Sequence, residues 1–352
     1  MNRKRILPVF LIFQIVLVKT LGRFPHFVEN GYSKGLYPKI AWFSRKLLGS
    51  IPFSVGDIIY IVLIIGLLRW IWRNRKGFFR NWKTNGLTLL SWVSVFYFCF
   101  HLLWGMNYYR IPIAQKLALE KEYSGEDLAA FTEKMVAQTN ALQLRLAGND
   151  TLAVVVPYSE DELFNLARQG YDQLPSDLSD FHYENKSIKA SLLRLPLSYM
   201  GFGGYLNPFT NEAQVNTLKP KFSTPLTVCH EMAHQTGIGS ESECNFIGFI
   251  AASRNKDLYF QYSAYSFITR YCLHHLERMK KGEGKKYFDR LNKGVIKNFQ
   301  EHEMFWKHYH TPIDSFFEFF YDNFLKANQQ QDGIASYSKF VGLMIHYDRI
   351  AK

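Results

Sequence analysis

Two histidines four positions apart, with a glutamate beside the first, form the segment His230-Glu231-Met232-Ala233-His234. Their types and spacing call for a specific chemistry. On a helix, positions i and i+4 share a face, so both imidazoles reach one metal ion. Glu231 lies about 100° further round the helix, where its carboxylate reaches a water held at that ion without ligating the ion itself. The pattern predicts a catalytic Zn2+ site with Glu231 as general base. Such a site takes three protein ligands and keeps a fourth position open. Gly237 and Gly239 end the helix and let the chain turn back, which makes Glu241 and Glu243 the candidates for the third ligand. Ser240 reads as the N-cap of the next helix with Glu243 as its capping-box partner, and this favours Glu241 as the ligand.

Further positions suit the same chemistry. Tyr262 and Tyr265 follow the ligand helix and are candidate donors to a developing oxyanion. His274, His275, His308 and His310 are read as ordinary surface or core histidines. Ala213, Gln214, Val215 and Asn216 belong to an extended stretch, expected either as an edge strand that pairs with an extended peptide substrate or as a purely structural strand. The four cysteines form no CxxC pair; Cys229 and Cys244 flank the motif closely enough for a disulfide or ligand role, but small buried hydrophobes are the plainer expectation.

The motif, followed by a helix carrying Glu241-Ser242-Glu243-Cys244-Asn245, is similar to the gluzincin class of zinc metallopeptidases. The resemblance implies zinc as cofactor, a peptide or protein as substrate, Glu241 at the ligand position, and Asn245 where an acid supports a histidine ligand. Asparagine there hydrogen-bonds an imidazole but adds no charge. Gly237 falls on the glycine of the metzincin pattern, whereas Ser240 stands where that pattern has its third histidine, which excludes a three-histidine site. Over nearly its whole length the chain resembles an uncharacterised family of Bacteroidetes membrane proteins, a domain of unknown function. The matching features are Pro52 to Asp57 (PFSVGD), Trp104 to Arg110 (WGMNYYR), Asn207 to Asn216 (NPFTNEAQVN), HEMAHQ, and Tyr321 to Ser338. That resemblance implies an architecture rather than a reaction.

The frame for these residues is uneven. Of 352 residues 47% are hydrophobic and 16% aromatic, and the apolar ones concentrate in the first hundred. Segments 6–21, 51–72 and 87–104 are expected as transmembrane helices, since each approaches the roughly 20 residues a span needs. The first lacks a small-x-small cleavage site after it and is therefore read as retained. The formal charge of +12 would suit nucleic acid, but Arg73, Arg75, Lys76, Arg80 and Lys83 lie between two apolar blocks and read as a topology signal. Together with the N-terminal Arg3, Lys4 and Arg5 they place the lipid-embedded region, 1–110, so that residues 111–352 emerge outside the cytoplasmic membrane, on the periplasmic side. No nucleic-acid partner is expected.

The fold class expected is mainly α with a minor α+β component: transmembrane helices, then a helical zincin-like domain with a small sheet. Helices are predicted from Ser124 to about Gly148 and from Ser159 to about Gln169, with a short strand at Leu152 to Val156 between them. Further helices are expected at 256–278, 285–303 and 312–327, the last an aromatic core helix, and at 337–349 after a turn at Asp332-Gly333. The functional expectation is a membrane-anchored zinc metallopeptidase. The rivals are a non-enzymatic scaffold whose zinc is closed off by a fourth ligand, and a zinc amidase acting on cell-wall material.

Overall fold

The computed structural model describes residues 5–120, 122–328 and 337–350, and the expected turn at Asp332-Gly333 lies outside them. The described chain is mainly helical, with one three-stranded sheet. Among the described residues two helices are long and apolar enough to cross a membrane, Val55–Gly77 and Trp82–Leu103. A third candidate is a bent pair, Ile6–Leu21 with Pro25–Leu48, whose halves meet at 97°. The second helix begins at Val55 rather than 51, because Pro52 precedes it and the Ser54 hydroxyl accepts the Asp57 N–H at 2.8 Å. Ile64, Ile65 and Leu68 on this helix are more than half exposed, as an apolar solvent requires.

The sheet is built from β1 (Ile188–Ala190), β2 (Gly204–Asn207) and β3 (Glu212–Val215), in the order β1-β3-β2. β1 runs parallel to β3 and β2 antiparallel to it, with Ile188 opposite Ala213 and Gly204 opposite Val215. This corrects the edge-strand expectation for 213–216. β3 is paired on both sides, and Ala213, Gln214, Val215 and Asn216 are fully buried, so none of them is open to a substrate strand. The Asn216 amide donates to Ser198 Oγ and to the Phe202 carbonyl, which is an internal role. The two edge strands are β1 and β2.

Two other expectations also differ. Leu152 to Val156 forms no strand: the Asn298 side chain accepts the Val154 N–H at 2.9 Å and donates to its carbonyl at 3.2 Å, taking the place of a strand partner. The Pro312–Ala327 helix is not a core helix. Leu325 is its one buried residue, while Phe316, Phe319 and Phe320 are each more than 60% exposed.

Polar and aromatic contacts tie the apolar helices to the sheet. Glu212 of β3 accepts the N–H groups of Val55 (3.2 Å) and Gly56 (2.6 Å), capping the helix that starts there. Phe209, in the turn between β2 and β3, packs 5.0 Å from Phe96 and 6.1 Å from Tyr60, one on each apolar helix. A large core gathers residues after 110, and a second cluster joins Val18, Val28, Tyr37, Ala41 and Trp104 to Leu325 across that boundary.

Candidate metal centre

The motif lies on the helix Thr224–Gln235, which opens with Pro225 and carries ten buried residues, among them Val228, Cys229, Met232 and Ala233. It stops at Thr236, and Gly237 takes φ +87°, a left-handed conformation that turns the chain back. The next helix, Glu241–Arg254, returns alongside. The two approach closely because Gly248 has no side chain: a Cβ there would lie 2.9 Å from the His230 nitrogen.

The last carbonyls of the motif helix have no partner within it. Residues preceding 111 satisfy them. The Trp104 indole donates to the His234 carbonyl (3.0 Å), Tyr37 (2.8 Å) and Arg45 (3.0 Å) to that of Gln235, and Arg110 to that of Gly237 (2.8 Å). Arg45 and Arg110 also bring positive charge to the negative end of the helix dipole. Arg110 is in turn held by a bidentate pair with buried Glu29. The histidine pair is therefore fixed by the region around the apolar helices.

His230, His234 and Glu241 converge, with one ligand atom from each within 4.8 Å of the others. His230 Nε2 lies 3.1 Å from Glu241 Oε2, and His234 Nε2 lies 3.6 Å from Glu241 Oε1. Both far ring nitrogens are occupied: His230 Nδ1 donates to Asn245 Oδ1 and His234 Nδ1 to the Ile238 carbonyl, each at 2.8 Å. That tautomer leaves both Nε2 lone pairs directed at the carboxylate, the arrangement a divalent cation requires.

As imidazolium and carboxylate the same groups attract one another. Burial alone would raise the Glu241 pKa, but the two histidines hold it well below the usual carboxylate range. Burial alone would lower that of His234, yet Cys244 and Glu241 beside the ring raise it. Glu231 is 4% exposed, its pKa is raised chiefly by burial, and its Oε2 has no hydrogen-bond partner. A Cβ added to Gly204 would lie 2.6 Å from Glu231 Oε1, so the edge strand β2 passes directly over this carboxylate.

Other residues singled out in the sequence lie elsewhere. Glu243 turns away from the histidines and accepts the Ile113 N–H at 2.6 Å; it completes no capping box, and the Ser240 hydroxyl meets Ser242 instead. Tyr262 is fully buried and donates to Asn298, and Tyr265 packs on Phe249. His275 pairs with Tyr123 and His310 with Asp314, while His274 and His308 are exposed. All four cysteines are unpaired, and Cys244 Sγ sits 3.1 Å from His234 Nδ1, the face of the ring opposite the cluster.

Residues not foreseen complete the site. Tyr321 donates to Glu241 Oε1 at 2.5 Å, and its ring meets Phe202 at 5.1 Å. Tyr108 packs against Gly239, where a Cβ would meet its ring at 2.7 Å. Tyr108 and Tyr321 belong to segments that carry the family resemblance, so a signal was present, but nothing in their order along the chain reveals that they meet. A cavity of about 350 Å³ between Glu29, Lys116 and Phe181 lies apart from the histidines, and its Glu29 and Lys116 are already paired.

Fold and site together define a mainly helical protein with apolar helices and a His2Glu group able to hold a metal ion. The chain belongs to the family described as "Protein of unknown function (DUF3810)", which matches residues 32–345. No curated protein and no solved structure matches it.

Proposed function

We propose that the chain is a membrane-anchored zinc metallopeptidase of gluzincin type, its zincin-like domain on the outer face of the cytoplasmic membrane. His230, His234 and Glu241 would hold the ion. The observation that carries this reading is the buried, partnerless Oε2 of Glu231, on the motif helix beside the histidines, in a carboxylate whose Oε1 lies under the edge strand β2. When bound, the ion supplies Lewis acidity, polarising a carbonyl and easing deprotonation of water. Glu231 takes the proton of the attacking water and passes it to the leaving amine, a task that its raised pKa suits.

The substrate is a peptide in extended form. The Asn216 N–H donates to the Gly203 carbonyl at 3.0 Å, so in the antiparallel alternation the next residue, Gly204, turns its own N–H and carbonyl to the open edge. A peptide strand pairing there passes over Glu231. The basic residues 73–83 between the two apolar helices favour a cytoplasmic loop and an outward catalytic domain. The scaffold alternative needs a fourth ligand, but Cys244, nearest to the cluster, faces the Nδ1 side of His234.

The test is an unbiased peptide-cleavage profile of the full chain in detergent. Wild type supplied with zinc is expected to cleave and a chelator to stop it, while Glu231→Gln keeps its metal and cleaves nothing. Cleavage by Glu231→Gln at the wild-type rate overturns the mechanism.

A further inference from the structure

Beside Glu231 lies a group of donors with no acid paired to them. Lys219 is 6% exposed, and its ammonium donates to the Ser223 carbonyl at 3.1 Å and to the Thr227 hydroxyl. Thr227 is one turn before Glu231, at i and i+4 on the same face of the motif helix. A Cβ on Gly203 would lie 3.8 Å from the Lys219 nitrogen, just as one on Gly204 would lie 2.6 Å from Glu231 Oε1. Ammonium and carboxylate thus border two consecutive residues, Gly203 and the first residue of the edge strand β2.

Arg270, on the helix Leu258–Met279, and His302, on the helix Lys293–Tyr309, lie within electrostatic reach of Lys219. Phe222, three residues after Lys219, brings its ring 6.2 Å from that of His302. The Arg270 guanidinium lies 5.9 Å from the centre of the Phe299 ring, and Glu303 is the acid in its field. Among the described residues, neither Arg270 nor Lys219 forms an ion pair. His302 Nε2 accepts the Trp306 indole hydrogen at 2.9 Å, so its own hydrogen sits on Nδ1, which is buried without a partner. Burial, with Arg270 and Lys219 adding, pushes the His302 pKa down to about 2, so the ring is a neutral donor.

Two cations with no paired acid and a neutral N–H with no acceptor match the donors that a carboxylate takes up. Their place fixes which carboxylate. Gly203 and Gly204 are consecutive, and an extended chain advances about 3.3 Å per residue, so a substrate lying along β2 with its scissile bond at Glu231 reaches Lys219 within one or two residues. We infer that Lys219, Arg270 and His302 form a subsite for the free C-terminal carboxylate of the substrate, which makes the hydrolysis one that trims peptides from the C-terminus. This inference rests on the hydrolytic reading given above.

The test uses the zinc-loaded full chain in detergent and three peptides of one sequence: the free acid, the C-terminal amide, and an amide with aspartate next to the cleaved bond. Wild type is expected to favour the acid over the plain amide by about 100-fold in kcat/KM, and Lys219→Met and Arg270→Gln each to reduce that ratio below about 10. Preference for the aspartyl amide over the free acid overturns the C-terminal assignment. Equal cleavage of acid and plain amide by wild type overturns the subsite and leaves peptide hydrolysis standing. Calorimetric binding of the acid and the plain amide to the metal-free chain separates the remaining case. Acid-selective binding that Lys219→Met abolishes, in a protein that cleaves none of the three, upholds the subsite and removes the hydrolytic reading; no selectivity in either assay overturns the subsite. Arg270→Gln gives the same readouts if Lys219→Met does not fold.

Discussion

Tyr321 donates its phenolic hydroxyl to Glu241 Oε1 across 2.5 Å, linking the Pro312–Ala327 helix to the candidate metal ligand. The bond holds the same carboxylate oxygen that His234 Nε2 approaches at 3.6 Å. Removing such a partner of a ligand costs about 10- to 100-fold in metal affinity or activity. Tyr321→Phe keeps the ring against Phe202 and Phe324. The variant is expected to fold normally and to lose zinc at least about 10-fold more readily in a chelator titration. Unchanged affinity and unchanged activity would separate Tyr321 from the site.

Gly204→Ala tests the approach of the edge strand. The added methyl would lie 2.6 Å from Glu231 Oε1 and 2.7 Å from the Gln214 carbonyl, both inside van der Waals contact. Overpacking of this kind costs about 1–3 kcal/mol. The expected outcome is a lowered melting temperature and a cleavage rate reduced at least about 10-fold at unchanged metal content, since none of the three ligands is touched.

Arg110→Met tests the anchoring of the motif helix by the region around the apolar helices. It leaves the Gly237 carbonyl without its donor and buried Glu29 with Lys116 and the Ile111 N–H. Breaking a buried pair from one side costs about 3–5 kcal/mol, here toward the lower figure because Lys116 remains. Denaturant unfolding measures the loss, and the double variant Arg110→Met/Glu29→Leu is expected to recover part of it.

Lys219 gives a pH signature. Burial lowers its pKa, Glu231 opposes and Arg270 adds to the lowering, leaving it at about 7 against an unfolded value near 10.4. Between these values the unfolded chain holds more protons at this site than the folded one, so stability rises with pH from about 7 to about 10.4. Below 7 the ammonium is charged in both states and its burial cost is constant. Glu231, Arg270 and His302 face it; the difference between wild type and Lys219→Met isolates its share. Lys219→Met is expected to be the more stable at pH 6, with the gap closing as pH rises. A pH-independent gap would contradict an uncompensated buried ammonium.

Much of this was legible in the chain because it is local. An i, i+4 histidine pair and a glycine at the helix end are set by helical geometry within a dozen residues, and so are the apolar runs. What was misread depends on distant partners. The extended 212–216 stretch looks the same whether central or at an edge; only its pairing with 188–190 and 204–207 makes it central. Glu243 suits a capping box by spacing, but the Ile113 N–H, 130 positions away, takes its carboxylate. Aromatic residues all round the 312–327 helix suggested burial, yet the helix rests on its Tyr321 and Phe324 side, with Phe324 against Phe100 of an apolar helix. Lys219 carried no sequence signal, because a lysine is marked only by the groups around it.

The most direct measurement is the zinc content of the full chain, purified in detergent and dialysed after zinc loading, for wild type and His230→Ala. One ion per wild-type chain, with less than about a tenth of that in the variant, is the expected result. Equal zinc in both proteins, or none in wild type, would contradict the His230-His234-Glu241 site.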